Sequence, residues 1–218
     1  YDIKAKAVIN ATGVFVDDIL TMDSSDHKKM VTPSQGVHLV LDRSFLESDS
    51  AIMIPKTSDD RVLFAVPWHG KVVVGTTDTP NIPPNFEPVA LKEEIDFILE
   101  TAAKYLTRPP KRTDVRSVFA GLRPLAAPQE EGQETKEISR SHKLVISDSG
   151  LITMIGGKWT TYRQMGQDMI DKAALVAGLP DKPSVTENMP IHGYVKNVDH
   201  ANHMYVYGSD MIKIQNLI

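Results

Sequence analysis

IGGKWTTYR, residues 155–163, is the stretch of sequence on which the fold assignment depends. An apolar strand runs into two glycines, Gly156 and Gly157, and a helix is predicted to follow at once, over about residues 158–177. Paired glycines let the backbone approach another group closely, and the first turn of a helix directs N–H groups and its positive dipole end toward that group. Lys158 adds a full positive charge. The stretch therefore predicts a place for a phosphate, or for a cofactor that gains negative charge on reduction.

The same stretch also fits a plain glycine-rich turn before a helix capped by Thr160 or Thr161, and its spacing alone does not separate the two interpretations. Other segments of the chain favour the first one. They are Ala11-Thr12-Gly13 at the end of the first predicted strand, Gly75-Thr76-Thr77-Asp78, and Gly121-Leu122-Arg123-Pro124-Leu125.

Composition excludes several other classes of protein. The 218 residues are 41% hydrophobic and 24% charged, which is ordinary for a soluble globular protein. No apolar run approaches the roughly 18 residues that span a bilayer. Without cysteine there is no disulfide, no thiolate nucleophile and no zinc–thiolate site. A formal net charge of −4 argues against a broad basic surface for nucleic acid, so an anionic substrate would need a local cluster of Arg and Lys.

Periodicity predicts about eight strands and two long helices, with most strands in hairpins, which is an α+β arrangement dominated by an antiparallel or mixed sheet. Strands are expected at residues 7–13, 36–41, 51–54, 61–66, 71–75, 114–121, 143–147 and 151–155, and helices at residues 89–106 and 158–177. Residues 14–29 are interpreted as a charge-rich connection. The chain opens without Met directly before a strand and ends within an apparent helix start, so both ends are expected to be cuts within a larger protein.

Taken together and in this order, these motifs resemble the FAD-dependent glycerol-3-phosphate dehydrogenase family, a branch of the D-amino-acid-oxidase-like flavoprotein superfamily. Residues 11–13 resemble its ATG turn, residues 121–125 its G-[VL]-R-P-L motif, and residues 156–163 its G-G-K-[LW]-T-T-Y-R motif. Ser34-Gln35-Gly36-Val37-His38 and the hairpin that begins at Trp68-His69-Gly70 also match. The resemblance runs from residue 1 to about residue 178.

The resemblance implies four regions. Residues 1–33 belong to the FAD-binding domain, and residues 34–150 form a substrate-binding domain on an antiparallel sheet. Residues 151–178 are a return strand and helix of the FAD-binding domain, and residues 179–218 are a linker and the start of a C-terminal helical region. The family's Gly-x-Gly-x-x-Gly motif for the FAD pyrophosphate is not in this sequence. We therefore expect these residues alone to bind FAD weakly or not at all.

By the same resemblance, Arg123 and His38 are the catalytic candidates. Substrate contacts are expected from Arg123, Arg140, Lys158 and His38, and cofactor contacts from Ala11, Thr12, Gly13, Gly156, Gly157, Lys158 and Thr160. A guanidinium binds phosphate or hydroxyl oxygens through N–H donors in a fixed planar geometry, although Arg123 could instead form a surface salt bridge. Alternation places His38 on the strand face opposite Val37 and Leu39, where it could face substrate or be a core histidine. No metal site is expected.

The implied reaction is oxidation of sn-glycerol 3-phosphate to dihydroxyacetone phosphate in glycerol metabolism, with electrons passed to a quinone, or to oxygen in an oxidase relative. The resemblance further implies a cytoplasmic enzyme that associates peripherally with the cytoplasmic face of the membrane, with no nucleic-acid partner. Two alternatives remain. One is another flavin oxidase of the superfamily, acting on an amino or hydroxy acid, since a carboxylate would also bind arginine. The other is a non-catalytic binding module.

Overall fold

The computed structural model describes residues 1–57, 61–127 and 141–217. The chain forms two compact units, Tyr1–Leu179 and Pro180–Ile218. The described part of the first unit contains two sheets and three α-helices, and that of the second contains a 3-10 helix, His203–Asp210, followed by α4, Met211–Gln215. The predicted α+β fold class is confirmed. No helix within the described residues has the length and apolar character needed to cross a bilayer.

The larger sheet is antiparallel and is organised around the 12-residue strand β2. Its strands are β2 (Val31–Asp42), β3 (Ile52–Ile54), β4 (Leu63–Trp68), β5 (Lys71–Gly75), β6 (Thr79–Pro80) and β7 (Ser117–Ala126). On one side, β2 pairs with β7 along ten register positions, Val31–Ala126 to Val40–Ser117. On its other side, β2 pairs first with β6 and then with β5, which continues the sheet to β4 and β3.

One face of the larger sheet is covered by helix α2 (Lys92–Ala102). Val37, Leu39 and Leu41 alternate along β2 and are completely buried against this helix, whose Ile98 is also completely buried. Because successive residues of a strand point to opposite faces, the residues between them lie on the other face of the sheet. That other face carries the candidate site.

The smaller sheet has the order β1-β9-β8, with β1 (Val8–Asn10) parallel to β9 (Leu151–Ile155) and β8 (Lys143–Ile146) antiparallel to it. Helices cover both of its faces. Leu151 and Ile155 pack with α1 (Val16–Asp23), and Ile152 packs with α3 (Tyr162–Val176). The smaller sheet is therefore a three-layer α/β arrangement within the same unit as the antiparallel sheet.

The structure corrects several local predictions. Helix α1 occupies part of the expected connection at residues 14–29, and its Asp17 carboxylate accepts hydrogen bonds from the Met30 and Val31 amides. Strand β7 continues to Ala126, so Arg123 lies inside a strand and not at a strand end. A 3-10 turn, Trp159–Thr161, precedes α3.

Two further expectations are also revised. Thr161 occupies the N-cap position of α3 without capping it, because its hydroxyl donates to the Lys158 carbonyl. Strand β8, expected within the substrate domain, pairs with β9 in the smaller sheet.

Candidate active site

The candidate site is built around an interruption in the larger sheet. Strand β5 ends at Gly75 and β6 begins at Thr79, so residues 76–78 leave the ladder beside β2. The amide of Val37 donates instead to the Thr77 hydroxyl, at 3.0 Å. A side chain thus satisfies a backbone donor that the ladder leaves unpaired.

Arg123 reaches this segment from β7, across β2. Its Cα is opposite Ser34 in the ladder. Its Nη2 donates to the Thr76 hydroxyl at 2.9 Å and to the Thr77 carbonyl at 3.1 Å. Its Nη1 lies 3.5 Å from Asp78 Oδ1, which also accepts a hydrogen bond from the Ser34 hydroxyl. The guanidinium is therefore held by three groups of the segment 76–78, while 32% of its side chain remains accessible.

The path of Arg123 across β2 depends on a glycine. A Cβ atom at Gly36 would lie 2.3 Å from Arg123 Nη2 and 2.7 Å from its Cζ, so no larger residue fits beneath the guanidinium as it stands. Gly121, which is opposite Gly36 in the ladder, has no atom within 4 Å of its own Cβ position. The absence of a side chain at Gly36 thus makes room for the Arg123 guanidinium, whereas the absence of one at Gly121 does not.

His38 lies two residues further along β2 on the same open face. Its ring stacks on Phe119, with centroids 5.0 Å apart, and covers Gly75, whose missing Cβ would lie 2.3 Å from His38 Cδ2. Burial, and secondly the positive charge of Arg123, lowers the pKa of His38 below the usual histidine value. The imidazole is therefore neutral near pH 7 and can accept a proton.

An open cavity of about 710 Å³ lies against this face. Its walls are mainly apolar, and they bring together residues of four strands of the sheet with the beginning of the interrupted segment. The lining residues are His38, Val40, Phe64, Val66, Trp68, His69, Lys71, Val73, Gly75, Thr76 and Phe119. The cavity is of the size and character of small-molecule sites, with a few polar groups in an apolar wall.

The predicted cofactor residues meet at a second place, one edge of the smaller sheet. Because β1 and β9 are parallel, their carboxyl ends lie together, which brings Ala11-Thr12-Gly13 beside Gly156-Gly157-Lys158. Buried Asn10 fixes the first turn, since its Nδ2 donates to the Val16 carbonyl at 3.1 Å and its Oδ1 accepts the Thr12 hydroxyl at 2.7 Å.

The paired glycines permit a close approach, but the group that approaches belongs to the chain itself. A Cβ at Gly156 would lie 2.8 Å from the Ser141 carbonyl oxygen, and one at Gly157 would lie 2.4 Å from Met165 Cε. Gly13, in contrast, has a φ of +63° and open space around its Cβ position. With exposed Lys158 beside it, this edge has room and positive charge for an anionic cofactor, so these residues fit a flavin dinucleotide.

The structure therefore brings the predicted residues together in two groups. Arg123 and His38 share the open face of the larger sheet, and the glycine turns with Lys158 share the edge of the smaller sheet. Thr160 is exposed in the 3-10 turn before α3. Arg140 lies outside the described residues.

Sequence reasoning missed the residues that hold Arg123 in place. Gly36 and Gly75 interrupt strands that are otherwise rich in β-branched residues, and this signal was available in the sequence. The segment 76–78 was noticed as part of a motif, without a role. Glu94, whose carboxylate accepts hydrogen bonds from Thr77 in that segment and from Thr79 directly after it, gave no signal, because an acidic residue in the first turn of a helix is common.

The chain is similar to known proteins both in sequence and in structure. Residues 2–163 match the family model described as FAD dependent oxidoreductase. A mitochondrial glycerol-3-phosphate dehydrogenase of Bos taurus is 41% identical over 195 residues, which are 88% of this chain and 26% of the relative. One of Arabidopsis thaliana is 42% identical over 190 residues, 87% of this chain and 30% of the relative.

Among solved structures, a glycerol-3-phosphate dehydrogenase from Bacillus halodurans, complexed with FAD, is 36% identical and superimposes with a TM-score of 0.70. The match covers 84% of this chain and 34% of that one. The chain spans 26% of the bovine relative and 30% of the plant relative, so less than a third of the length of either.

Proposed function

This chain belongs to the FAD dependent oxidoreductase family, and from that premise we propose that it supplies the substrate-binding face of an enzyme that oxidises sn-glycerol 3-phosphate to dihydroxyacetone phosphate. The observation that carries the proposal is the placement of the Arg123 guanidinium and a neutral His38 on one open face. The identity of about 40% to glycerol-3-phosphate dehydrogenases supports this choice over other substrates of the family.

Arg123 binds the anionic group of the substrate. A guanidinium offers five N–H donors in a planar fork, and such a group binds phosphate oxygens more strongly than neutral donors do. The contacts to Thr76, Thr77 and Asp78 fix its position before the substrate arrives, so little side-chain entropy is lost on binding. Thr76, whose hydroxyl accepts a hydrogen bond from Arg123 Nη2, also lines the mainly apolar cavity, so the guanidinium lies at the border of that cavity.

His38 accepts the proton of the C2 hydroxyl. Its lowered pKa keeps the imidazole neutral, and stacking on Phe119 fixes the plane of the ring. Burial is the main cause of the lowered pKa, and Arg123, the group that binds the anion, adds to it. Bound FAD supplies the acceptor for the hydride that leaves C2.

The edge of the smaller sheet holds FAD in this proposal, through Ala11-Thr12-Gly13, Gly156-Gly157, Lys158 and Thr160. Residues 1–33 and 151–178 then belong to the FAD-binding domain, residues 34–150, apart from strand β8, to the substrate domain, and residues 179–218 to a linker and C-terminal region. Support comes from the open space at Gly13 and the exposed charge of Lys158. Arg140 is proposed as a second phosphate contact on the resemblance alone.

The electron acceptor and the location of the enzyme are proposed on the resemblance as well. Electrons pass to a quinone, and the enzyme associates peripherally with a membrane. Glycerol metabolism is the pathway that this activity would serve.

The test uses the intact gene product. We expect a bound-flavin absorbance spectrum, and reduction of a dye acceptor with glycerol 3-phosphate in preference to glycine or 2-hydroxyglutarate. Arg123→Lys keeps the charge but loses the fork, so kcat/KM should fall by about 10- to 100-fold. Arg116→Lys is the control, because Arg116 lies on the same sheet but pairs with Asp42 on the surface. Preference for glycine or 2-hydroxyglutarate would identify the alternative oxidase, and a protein without flavin would identify a binding module.

A further inference from the structure

Glu94 is a buried carboxylate on the side of the sheet opposite the candidate site. It lies in the first turn of α2 and is only 5% exposed. Both of its oxygens are fully used. Oε1 accepts the hydroxyls of Thr77 at 3.0 Å and Thr79 at 2.6 Å, and Oε2 accepts Gln35 Nε2 at 2.7 Å and the Leu91 amide at 2.9 Å. Burial raises the pKa of Glu94, but these four hydrogen bonds outweigh burial and hold the pKa below its usual value.

A helix-capping role explains only one of the four contacts. The bond from the Leu91 amide is that of a capping box, which any exposed glutamate at this position could form. The other three bonds join the carboxylate to strands β2 and β6 and to the interrupted segment between β5 and β6. Burying an ionised carboxylate costs free energy, and a capping bond can form without burial. The burial of Glu94 and its other three contacts therefore require a separate explanation.

The three contacts lead directly to Arg123. Thr77 is the shared residue, because its hydroxyl donates to Glu94 on one side of the sheet while its carbonyl accepts Arg123 Nη2 on the other. The same hydroxyl accepts the Val37 amide, which ties the segment to β2. Thr79, the first residue of β6 and the one directly after the segment, also donates its hydroxyl to Glu94. The carboxylate therefore holds the middle of the three-residue interruption and the residue that directly follows it.

We propose that Glu94 is a positioning residue, which acts through Thr77 and Thr79 from behind the sheet to hold residues 76–78 where they fix the Arg123 guanidinium for binding the anionic group of the substrate. This inference rests on the proposed function only for the identity of the anion. A purely structural glutamate would affect folding and leave anion affinity unchanged in the folded protein. A positioning glutamate changes anion affinity itself.

The experiment compares four variants of the intact, flavin-loaded protein. Glu94→Gln replaces one of the two acceptor oxygens by an amide nitrogen, so a single oxygen remains for four donors. Thr77→Val removes the hydroxyl that joins Glu94 to the segment. Thr77→Ser keeps that hydroxyl and should retain the phosphate affinity of the wild type. Glu93→Gln is the matched control, because Glu93 is the adjacent residue of the same helix turn and is exposed. Binding of inorganic phosphate by calorimetry and steady-state kinetics with glycerol 3-phosphate are both measured, with the melting temperature of each variant.

We expect Glu94→Gln and Thr77→Val to weaken phosphate binding and raise KM by about tenfold, with kcat changed less than about threefold, as loss of ground-state binding predicts. Thr77→Ser and Glu93→Gln should stay within about twofold of the wild type. Unchanged phosphate affinity in folded Thr77→Val, or a wild type that binds no phosphate, overturns the inference. A wild type that binds phosphate but does not oxidise glycerol 3-phosphate refutes the proposed function alone, and phosphate affinity then decides the role of Glu94.

Discussion

Replacement of Gly36 by alanine should disable the site while leaving the fold intact. The new methyl group would lie 2.3 Å from Arg123 Nη2, 2.7 Å from Cζ and 2.8 Å from Nη1, whereas ordinary van der Waals contact begins at 3.4 Å. The guanidinium must therefore retreat by about 1 Å, which is enough to break hydrogen bonds to Thr76 and Thr77 that are 2.9 and 3.1 Å long.

A displacement of about 1 Å in a substrate-binding group can lower activity by about 100-fold. We therefore expect kcat/KM for glycerol 3-phosphate to fall by about 100-fold in Gly36→Ala, equivalent to about 2.7 kcal/mol of lost transition-state stabilisation. Stability should change by less than about 1 kcal/mol, because the atoms displaced are the end of a flexible side chain and alanine is favoured over glycine in a strand.

Gly121→Ala is the matched control. Gly121 faces Gly36 across the ladder, and a Cβ added there meets nothing within 4 Å. Steady-state kinetics and thermal melting of both variants, each in the wild-type and the Arg123→Gln background, complete the test. If Gly36 acts only through Arg123, Gly36→Ala should have little further effect once Arg123 is absent. Equal loss in Gly121→Ala, or an undiminished effect of Gly36→Ala without Arg123, would refute the reasoning.

Two other predictions concern pH and stability. Burial and the charge of Arg123 lower the pKa of His38, so a rate that requires neutral imidazole should persist below about pH 6.5 and fall only at more acidic pH. Because the phosphate of the substrate titrates near pH 6 in every variant, the difference between the wild-type and His38→Gln rate profiles isolates this residue. In α3, Gly166→Ala should raise the free energy of unfolding by about 0.5–1 kcal/mol in urea titrations, since the position is exposed and unobstructed. Gly157→Ala should lower it, because φ is +96° and Met165 fills the space.

The sequence predicted the parts of the site that depend on local pattern. Alternation along β2 placed His38 on the face opposite Val37 and Leu39, and the structure confirms that both neighbours are completely buried. The turns after β1 and β9 were also recognised, because glycines after an apolar strand are a local signal.

The surroundings of Arg123 could not be predicted in the same way. They depend on the register between β2 and β7, whose paired residues Ser34 and Arg123 are far apart in the chain. They also depend on the path of residues 76–78 after β5, which no short-range pattern marks. Glu94 was missed for a related reason, because three of its four hydrogen-bond donors come from β2, β6 and the interrupted segment, distant from α2 in the sequence.

The gap between β5 and β6 also constrains how this protein can change. The side chains of Thr76 and Asp78 can be exchanged without disturbing the ladder, whereas the Thr77 hydroxyl accepts the Val37 amide and donates to Glu94. The number of residues in the segment is more tightly constrained. Insertion or deletion of one residue would change the spacing of Thr77 and Thr79, which both donate to the same oxygen of Glu94. We infer that homologues can vary residues 76 and 78 to suit another anion, but retain a hydroxyl at residue 77 and the number of residues between β5 and β6.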